Sequence, residues 1–470
     1  MRLLSPACQN LIASWLVAAL ALLVVSRPAL AARPATVAPA DALAAYVAKA
    51  DDSYRWEKRQ ERELSGVKFV ELRLVSQTWK DIVWKHQLWI ARPAEVADAS
   101  QGVLVISGGG WNDELDKPVD PAKASEAKLP GEAALLAQVV RQVKAPVALL
   151  SHVPFQPVFD GMTEDEIIAY TFEQYLKTRD PEWPLLLPMV KAAVRAMDAT
   201  QEFTKKEWQL DVKNFTVTGA SKRGWTTWLT GAVDPRATAI APIVIDMLNG
   251  PAQMKNQIAS WGKYSEQIED YTRRGIQQQM DTPAGHELSA MVDPYSYRHK
   301  LVQPKLLVMG TNDPYWCLDA CNFYWGDLKG EKHLLYVPNK GHGVDDFGRL
   351  LGTIGAFHRQ AAGQFKLPDL KWDYDSSDEK TTLTMTSDVS PQKVQVWLAT
   401  APTKDFRESK WVSQDVAAAD GRFVHELTVP SVGYAAIIGE AVYRVDGPPF
   451  YLSTNVRIVG GPKSDEAGGK

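Results

Sequence analysis

Cysteine is scarce in this chain of 470 residues, which contains three: Cys8, Cys317 and Cys321. A small fold stapled by disulfides is therefore excluded, and the length suffices for two or three domains with a large core. The charges nearly cancel, with 52 basic and 56 acidic side chains and a net charge of −4. Because no basic excess is present, nothing in the composition indicates a nucleic-acid partner. Internal repeats are also lacking, so repeat architectures find no support.

Long apolar runs are missing except near the N-terminus. Arg2 precedes the apolar segment Leu11–Val25, and the small residues of Ala29–Ala31 fit a signal-peptidase site. A spanning helix needs about 20 apolar residues, so an uncleaved anchor is the weaker alternative. We predict that residues 1–32 are a signal peptide, that the mature protein is periplasmic or secreted, and that it has no stable membrane span.

The cysteines of the predicted mature chain are four positions apart, at Cys317 and Cys321. An oxidising compartment would allow a short local disulfide between them. One helical turn strains that geometry, so two free thiols are equally compatible with the sequence. We expect neither cysteine to be catalytic.

Between residues 40 and 366, apolar runs typical of buried strands alternate with helical patterns. This alternation predicts a mostly parallel sheet with right-handed crossovers. Segments near 156–187 and 250–290 interrupt it, and we interpret them as cap insertions over the strand ends. The predicted strands are Val67–Val75, Ile82–Ala91, Val103–Ile106, Pro146–Leu150, Phe215–Thr218, Ala239–Ile245, Lys305–Met309 and His333–Val337.

Beyond residue 367 the pattern changes to short strands separated by turn signals. This pattern predicts that residues 368–462 form a fibronectin-like or immunoglobulin-like β-sandwich. Residues 463–470 predict a disordered tail.

The stretch around Ser221 carries the strongest chemical signal. The β-branched run Phe215–Thr218 predicts a strand, the small residues of Gly219–Gly224 break it, and a helical pattern follows. Strand, sharp turn with a central serine, then helix is the nucleophile elbow of α/β-hydrolases. The usual motif has glycine two positions after the serine, whereas this chain has Arg223 there and glycine one position later. A tight β–α turn without catalytic meaning is the alternative.

A serine nucleophile needs a histidine base and an acid that orients it, and α/β-hydrolases supply them in the order serine, acid, histidine. Asp313 and His342 follow two later predicted strands, in that order. The ends of parallel strands meet at one sheet edge, where such sheets place their sites. Asp246, which ends an earlier strand, is the competing acid. The sequence thus predicts an α/β-hydrolase fold with Ser221, Asp313 and His342 as the triad.

Oxyanion donors are expected from the turn after the strand Val103–Ile106 and from the start of the elbow helix. The candidates are the amides of Gly109, Gly110 and Lys222. A flexible turn is the alternative for the glycines, and the Lys222 side chain could approach the oxyanion or reach solvent. The acidic run Glu164–Glu166 could serve acid–base chemistry, but acids also favour helix starts.

A further set of four side chains could in principle bind a metal, but their spacing matches no recognised zinc motif, and we expect neither a metal nor a cofactor. The set comprises Cys317, Asp319, Cys321 and His333.

These residues and their surroundings resemble the PhoPQ-activated pathogenicity-related family. The resemblance implies an α/β-hydrolase with a C-terminal β domain, regulation by a virulence two-component system and a link to resistance against antimicrobial peptides. It implies no substrate, and the family also includes a secreted signalling protein. The motifs that carry the resemblance are Glu166–Thr171, Pro188–Asp198, Gly219–Trp225, Asp293–Tyr297, Tyr336–His342 and Asp405–Arg407.

Two functions follow from the sequence. The first is an exported serine hydrolase that cleaves an ester or an amide of a small molecule or peptide. The second is a secreted binding or signalling protein on a hydrolase scaffold. An intact set of Ser221, Asp313 and His342 favours the first, because a repurposed scaffold often loses one member. The substrate and the oligomeric state are not predicted.

Overall fold

The computed structural model describes residues 38–119 and 133–461. The predicted signal peptide, residues 1–32, and the predicted tail, residues 463–470, lie outside the described residues. Within the described part of the chain, no helix has both the length and the apolarity needed to cross a membrane.

Strands and helices are numbered separately in chain order. The strands are β1 Arg55–Leu64, β2 Val67–Trp79, β3 Ile82–Pro93, β4 Gln101–Ile106, β5 Val147–Leu150, β6 Asn214–Ala220, β7 Ala237–Ile243, β8 Lys305–Gly310, β9 Lys332–Val337, β10 Leu370–Ser376, β11 Lys380–Ser387, β12 Lys393–Ala401, β13 Val412–Asp415, β14 Ala418–Ala419, β15 Arg422–Thr428, β16 Tyr434–Tyr443, β17 Phe450–Ser453 and β18 Arg457–Gly460. The helices are α1 Ala42–Ala48, α2 Ala133–Val143, α3 Glu164–Thr178, α4 Leu186–Trp208, α5 Lys222–Val233, α6 Gly250–Trp261, α7 Glu269–Arg273, α8 Ile276–Gln279, α9 Pro283–Val292 and α10 Phe347–Ala361.

The first nine strands form a mixed sheet in the order β1-β2-β3-β5-β4-β6-β7-β8-β9. Strands β1 to β3 are antiparallel, β3 is antiparallel to β5, and the pairs from β5 to β9 are parallel. The carboxyl ends of β4, β6, β8 and β9 therefore meet at one edge. The predicted α/β class with a mostly parallel sheet is confirmed.

The parallel strands are buried on both faces, as crossover helices require. In β8, Leu306 and Val308 pack in the apolar cluster that contains Phe357 of α10. Leu307 and Met309 belong to the cluster on the opposite face. Successive side chains of a strand point to opposite faces, which is why this strand reads as a continuous apolar run.

The C-terminal strands form two antiparallel layers. One is the separate sheet β10-β11-β15-β14; in the other, β16 pairs with β12 on one side and with β17 and β18 on the other. Leu383 and Met385 of the first layer share an apolar cluster with Val396 and Ile437 of the second. The predicted C-terminal β-sandwich is therefore present.

The second layer also continues the hydrolase sheet. Ser453 of β17 pairs with Leu334 of β9, and the Ser453 hydroxyl accepts a hydrogen bond from the Tyr336 amide at 3.0 Å. The two predicted domains, 40–366 and 368–462, thus contribute strands to one continuous sheet. The domain limits themselves stay a prediction.

The two cysteines of the described chain are free. Cys317 and Cys321 are both buried, and no disulfide joins them. Burial raises the pKa of the Cys317 thiol to about 12. A thiol with so high a pKa is a poor nucleophile at neutral pH.

Candidate active site

Ser221 stands alone between β6 and α5 in a strained conformation. Its φ of 58° and ψ of −128° lie in a backbone region that residues other than glycine rarely adopt. The Ser221 amide donates to the Ile243 carbonyl at 2.8 Å, which fixes the turn against β7. A Cβ at Gly219 would lie 2.8 Å from the Arg223 carbonyl, and one at Gly224 would lie 2.9 Å from the Ile243 carbonyl. Glycine is therefore required at both positions.

The displaced second glycine has a physical explanation. Residue 224 is where α5 approaches β7, whereas the Arg223 side chain passes beneath the turn after β4. A Cβ at Gly108 would lie 2.4 Å from Nη2 of Arg223. The strand–turn–helix elbow is therefore kept although the second glycine is shifted by one position. The Arg223 side chain fits beside the turn because Gly108 has no Cβ.

Asp313 and His342 meet at the ends of β8 and β9. Oδ2 of Asp313 lies 2.9 Å from Nδ1 of His342, while Oδ1 accepts the Tyr315 amide at 2.9 Å. The Tyr315 ring stacks on His342 with centroids 4.1 Å apart. The carboxylate and the aromatic ring together fix the plane of the imidazole. The sequence did not single out Tyr315; its only signal was the turn Asp313-Pro314-Tyr315.

The competing acid is held elsewhere. Asp246 is buried, and its Oδ1 accepts a hydrogen bond from the Tyr324 hydroxyl at 2.6 Å. Burial is the main cause that raises the pKa of Asp246 to about 7. The structure thus brings Asp313, and not Asp246, into hydrogen-bond contact with His342.

The second ring nitrogen of His342 is not used by the contact with Asp313. Among the described residues, Nε2 of His342 is buried and has no hydrogen-bond partner. Ser221 and His342 line the same pocket. An unpaired buried ring nitrogen in a pocket shared with a serine is available to accept a proton there.

This pocket has a cavity volume of about 120 Å³ and lies under the segments that the sequence predicted as caps. Its polar lining includes Asp165, Lys222 and Gln277 beside Ser221 and His342. Most of the wall is apolar or aromatic, so the pocket suits an apolar group next to the serine. The apolar and aromatic residues are Phe172, Trp225, Ile245, Met247, Met254, Ile268, Tyr271, Ile276, Met280, Tyr315 and Trp316.

The acidic start of α3 is paired with the basic start of α5. Glu164 accepts hydrogen bonds from both terminal guanidinium nitrogens of Arg223 at 2.7 Å. Lys222 Nζ lies 2.9 Å from Glu164 and 2.8 Å from Asp165. Burial alone would raise the pKa of Glu164, but hydrogen bonds and charge from Arg223 and Lys222 outweigh it and lower the pKa to about 2. The Lys222 side chain is therefore neutralised by carboxylates. Sequence reasoning placed these acids at a helix start and missed their partners.

The predicted oxyanion residues have different surroundings. The Lys222 amide is the first of α5, one of the amides that a helix leaves without an internal acceptor. Gly109 has a φ of 108° and approaches the ring of His152. Neither Gly109 nor Gly110 is among the described residues that line the pocket. The oxyanion role of all three stays a prediction.

Two of the four side chains that could in principle bind a metal have other partners. Nε2 of His333 lies 2.9 Å from Glu331, and Asp319 accepts hydrogen bonds from Asn256 and Lys404. Within residues 38–119 and 133–461, no group of three or more histidine, cysteine, aspartate or glutamate side chains is arranged to hold a metal ion.

The strand order and the strained turn at Ser221 define an α/β-hydrolase. A model of the family described as PhoPQ-activated pathogenicity-related protein matches residues 43–407, and the chain belongs to this family. The resemblance inferred from the sequence motifs is confirmed. The chain is also 33% identical over 438 residues to autocrine proliferation repressor protein A of Dictyostelium discoideum, with 85% of each chain covered.

Solved structures give more distant likenesses. Acetyl xylan esterase 1 from Thermoanaerobacterium sp. JW/SL YS485 has a TM-score of 0.44 and 12% identity, covering 69% of this chain and 93% of the esterase. A glucuronoyl esterase from Solibacter usitatus has a TM-score of 0.41 and 14% identity, covering 70% of this chain and 92% of that one. Likeness at this level bears on neither substrate nor mechanism.

Proposed function

We propose that this protein is an exported serine hydrolase that cleaves a carboxylic ester or an amide. Ser221 is the nucleophile, His342 the general base and Asp313 the acid that orients the histidine. One observation carries the proposal: His342 is hydrogen-bonded to Asp313 through Nδ1, its Nε2 has no partner among the described residues, and His342 lines the same pocket as Ser221.

The chemistry follows from this geometry. Donation from Nδ1 to Asp313 leaves Nε2 as the acceptor, so His342 takes the Ser221 proton as Oγ attacks the carbonyl carbon. The Lys222 amide stabilises the oxyanion that forms. Nε2 then returns the proton to the leaving oxygen or nitrogen as its bond to carbon breaks. Water, activated in the same way, releases the acyl group from Ser221.

The apolar walls support a substrate with an apolar group next to the scissile bond. Because Lys222 is already paired with Asp165 and Glu164, the described residues that line the pocket include no unpaired lysine or arginine that would favour an anionic substrate. Export rests on the signal-peptide pattern of residues 1–32. The link to antimicrobial-peptide resistance that the family resemblance implies is part of the same proposal.

Labelling with a fluorophosphonate tests the nucleophile. The full chain should be labelled, and Ser221→Ala should not be. Ser151→Ala is the matched control, because Ser151 directly follows β5 at the same sheet edge and should leave labelling intact. Labelling of folded Ser221→Ala, or none of the folded parent protein, would contradict the proposal. A panel of acyl esters and peptides would then identify the substrate class.

The name of the Dictyostelium relative favours one alternative, a secreted signalling protein. That function would need the surface of the protein and not its chemistry. In that case Ser221→Ala would lose fluorophosphonate labelling but keep its full effect on the cells that respond to the protein. If the effect depends on hydrolysis, Ser221→Ala would lose both.

A further inference from the structure

The loop between β12 and β13, residues 402–411, belongs to the C-terminal β layers but contacts the candidate active site. It contains the motif Asp405–Arg407, and the family match, which begins in the hydrolase part, ends within it at residue 407. We call residues 402–411 the brace loop. Its Phe406 and Trp411 are buried, so the loop is packed onto the protein and not free in solvent.

One contact of the brace loop is with the residue before the candidate acid. Nδ2 of Asn312 donates to the carbonyls of Arg407 at 3.0 Å and Ser409 at 2.7 Å. Oδ1 of Asn312 accepts from the Thr311 hydroxyl at 2.7 Å. The amide of Asn312 is thereby fixed at both ends, and Asp313 follows it directly.

A second contact is with the loop that carries the histidine. Nδ2 of Asn339 donates to the Trp411 carbonyl at 3.0 Å, and Oδ1 of Asn339 accepts the Trp411 amide at 2.7 Å. Asn339 lies three residues before His342 and has a φ of 58°, a conformation that asparagine tolerates. The Asn339 amide also donates to Oγ1 of Thr311 at 2.9 Å, which joins the two site loops.

The two site loops also touch each other through backbone. The Asn312 amide donates to the Lys340 carbonyl at 3.0 Å. A Cβ at Gly310 would lie 2.4 Å from the carbonyls of Lys340 and Gly341, so these loops pack at the closest distance that backbone allows. A shift of either loop would change the distance between Asp313 and His342.

We propose that the brace loop positions Asp313 and His342 for catalysis, with Asn312 and Asn339 as positioning residues. This inference rests on the hydrolase function proposed above. Both asparagines act through their neighbours, because each bonds to the brace loop and neither lines the pocket. Catalytic groups must be held within about 0.5 Å of the productive geometry, and rigid support from surrounding hydrogen bonds provides this.

Asn339 is the residue to change, because it is exposed and its loss should not prevent folding. Asn339→Ala should lower kcat about 10- to 100-fold with KM unchanged within about twofold, as expected for a misplacement of about 1 Å. Asn339→Gly keeps the positive φ but removes both side-chain bonds, so it should be as impaired as alanine. Asn339→Asp keeps the acceptor for the Trp411 amide and should be intermediate. Full activity in Asn339→Gly would assign Asn339 a backbone role only and overturn the proposal.

Asn322→Ala is the matched control. Asn322 is also exposed and also exchanges two hydrogen bonds with the C-terminal part, donating to the Val456 carbonyl at 3.0 Å and accepting from Asn455 at 2.8 Å. It lies on neither site loop, so its loss should leave kcat within about twofold. An equal loss in both variants would indicate a general effect of the C-terminal contacts and contradict a specific role for the brace loop.

A readout independent of turnover separates this inference from the proposed function. The proton between Nδ1 of His342 and Asp313 should give a downfield proton NMR signal, assigned by its absence in His342→Gln. The signal should be lost or broadened in Asn339→Ala and kept in Asn322→Ala. If the parent protein hydrolyses nothing but the signal behaves this way, the hydrolase proposal fails while the brace loop is shown to hold the pair. If Asn339→Ala keeps both the signal and kcat, the brace-loop inference is wrong.

Discussion

At the scale of single residues, Asp313 and Asp246 have different hydrogen-bond partners although both are buried and follow strands of the same sheet. Asp313 contacts His342 and the Tyr315 amide, whereas Asp246 contacts a tyrosine hydroxyl. Removing an orienting acid from a serine–histidine–aspartate triad lowers kcat by about 10⁴ in the best-studied case. Chain order favoured Asp313, and the hydrogen bond gives that preference its geometric support.

We therefore expect Asp313→Asn to lose about 10⁴ in kcat while remaining folded. Asp246→Asn should keep most of the activity, because an asparagine can still accept the Tyr324 hydroxyl. Steady-state kinetics on an ester that the parent protein cleaves, with circular dichroism as the check on folding, decides the question. The reverse pattern would make Asp246 the acid.

The buried Asp246 also predicts a pH dependence of stability. The carboxyl of Asp246 has an ordinary pKa of 3.8 in the unfolded chain, and burial raises its pKa to about 7 in the folded protein, so between these pH values the folded state binds more protons than the unfolded state. Raising the pH across this window therefore lowers the free energy of unfolding, and the full decrease is reached above pH 7. Asp246→Asn lacks this decrease.

The melting temperature of Asp246→Asn relative to the parent protein should therefore rise from pH 4.5 to pH 8, by a few degrees. Thermal unfolding at several pH values measures it. A difference that is constant across this range, or that falls as the pH rises, would show that Asp246 does not titrate in this window.

Some residue-scale features could not be predicted from the sequence. The order of Ser221, Asp313 and His342 was visible because strand ends and chain order are local signals. The pairing of Glu164 with Arg223 was not, because it joins segments 59 residues apart and opposite charges occur throughout the chain. The choice between a disulfide and free thiols at Cys317 and Cys321 was likewise open, since it depends on side-chain directions.

At the scale of elements, α3 and α6 to α8 form much of the pocket wall. They supply Phe172, Met254, Tyr271 and Ile276 to its wall. Methionine side chains are flexible and polarizable, so this wall can adapt to different apolar groups. The specificity of the site is therefore expected to lie in the inserted segments and not in the sheet.

Enlarging Met254 should narrow this pocket. Met254→Trp is expected to raise KM for butyryl and longer acyl esters about tenfold while acetyl esters are nearly unaffected, because one or two methylenes are worth about 1–3 kcal/mol in an apolar pocket. Ile258→Trp is the control, since Ile258 lies on the same helix, is 45% exposed and does not line the pocket. An equal change in KM for short and long acyl esters in Met254→Trp would show that the acyl group does not bind beside Met254.

Strand β1 shows where pattern reasoning fails for an element. Arg55–Leu64 is almost entirely charged or polar, and its residues are mostly exposed or half-buried. It is an edge strand, and charges on an edge discourage pairing with other chains. Apolar periodicity finds strands that are buried on at least one face, so it identified β2 to β9 and missed β1.

At the scale of the whole molecule, the hydrolase part and the C-terminal part share one sheet and one apolar cluster. Leu335 and Val337 of β9 pack in the same cluster as Phe450 and Leu452 of β17. Short strands after residue 367 predicted a β-sandwich from local patterns. Their pairing with β9 joins residues more than 100 positions apart, and no local signal specifies such a pairing.

A chain that ends at Leu367 is therefore expected to aggregate. It would leave the outer edge of β9 unpaired and expose the cluster beneath it, and an exposed edge strand is a template for association. Size-exclusion chromatography with dye binding to exposed apolar surface measures this. A chain ending at Gly461, which keeps every described strand, should elute like the full chain. A soluble, monomeric 1–367 chain that melts like the parent protein would show that the two parts fold independently.

The brace loop also sets the order in which the site can be completed during synthesis. Chains emerge from the ribosome N-terminus first, and domains generally fold in that order. Ser221, Asp313 and His342 are all made before Arg407, Ser409 and Trp411, to which Asn312 and Asn339 are hydrogen-bonded. A nascent chain that already contains all three side chains but ends before residue 411 therefore lacks contacts that hold two of them, so we expect the finished site to form only after the brace loop has been translated.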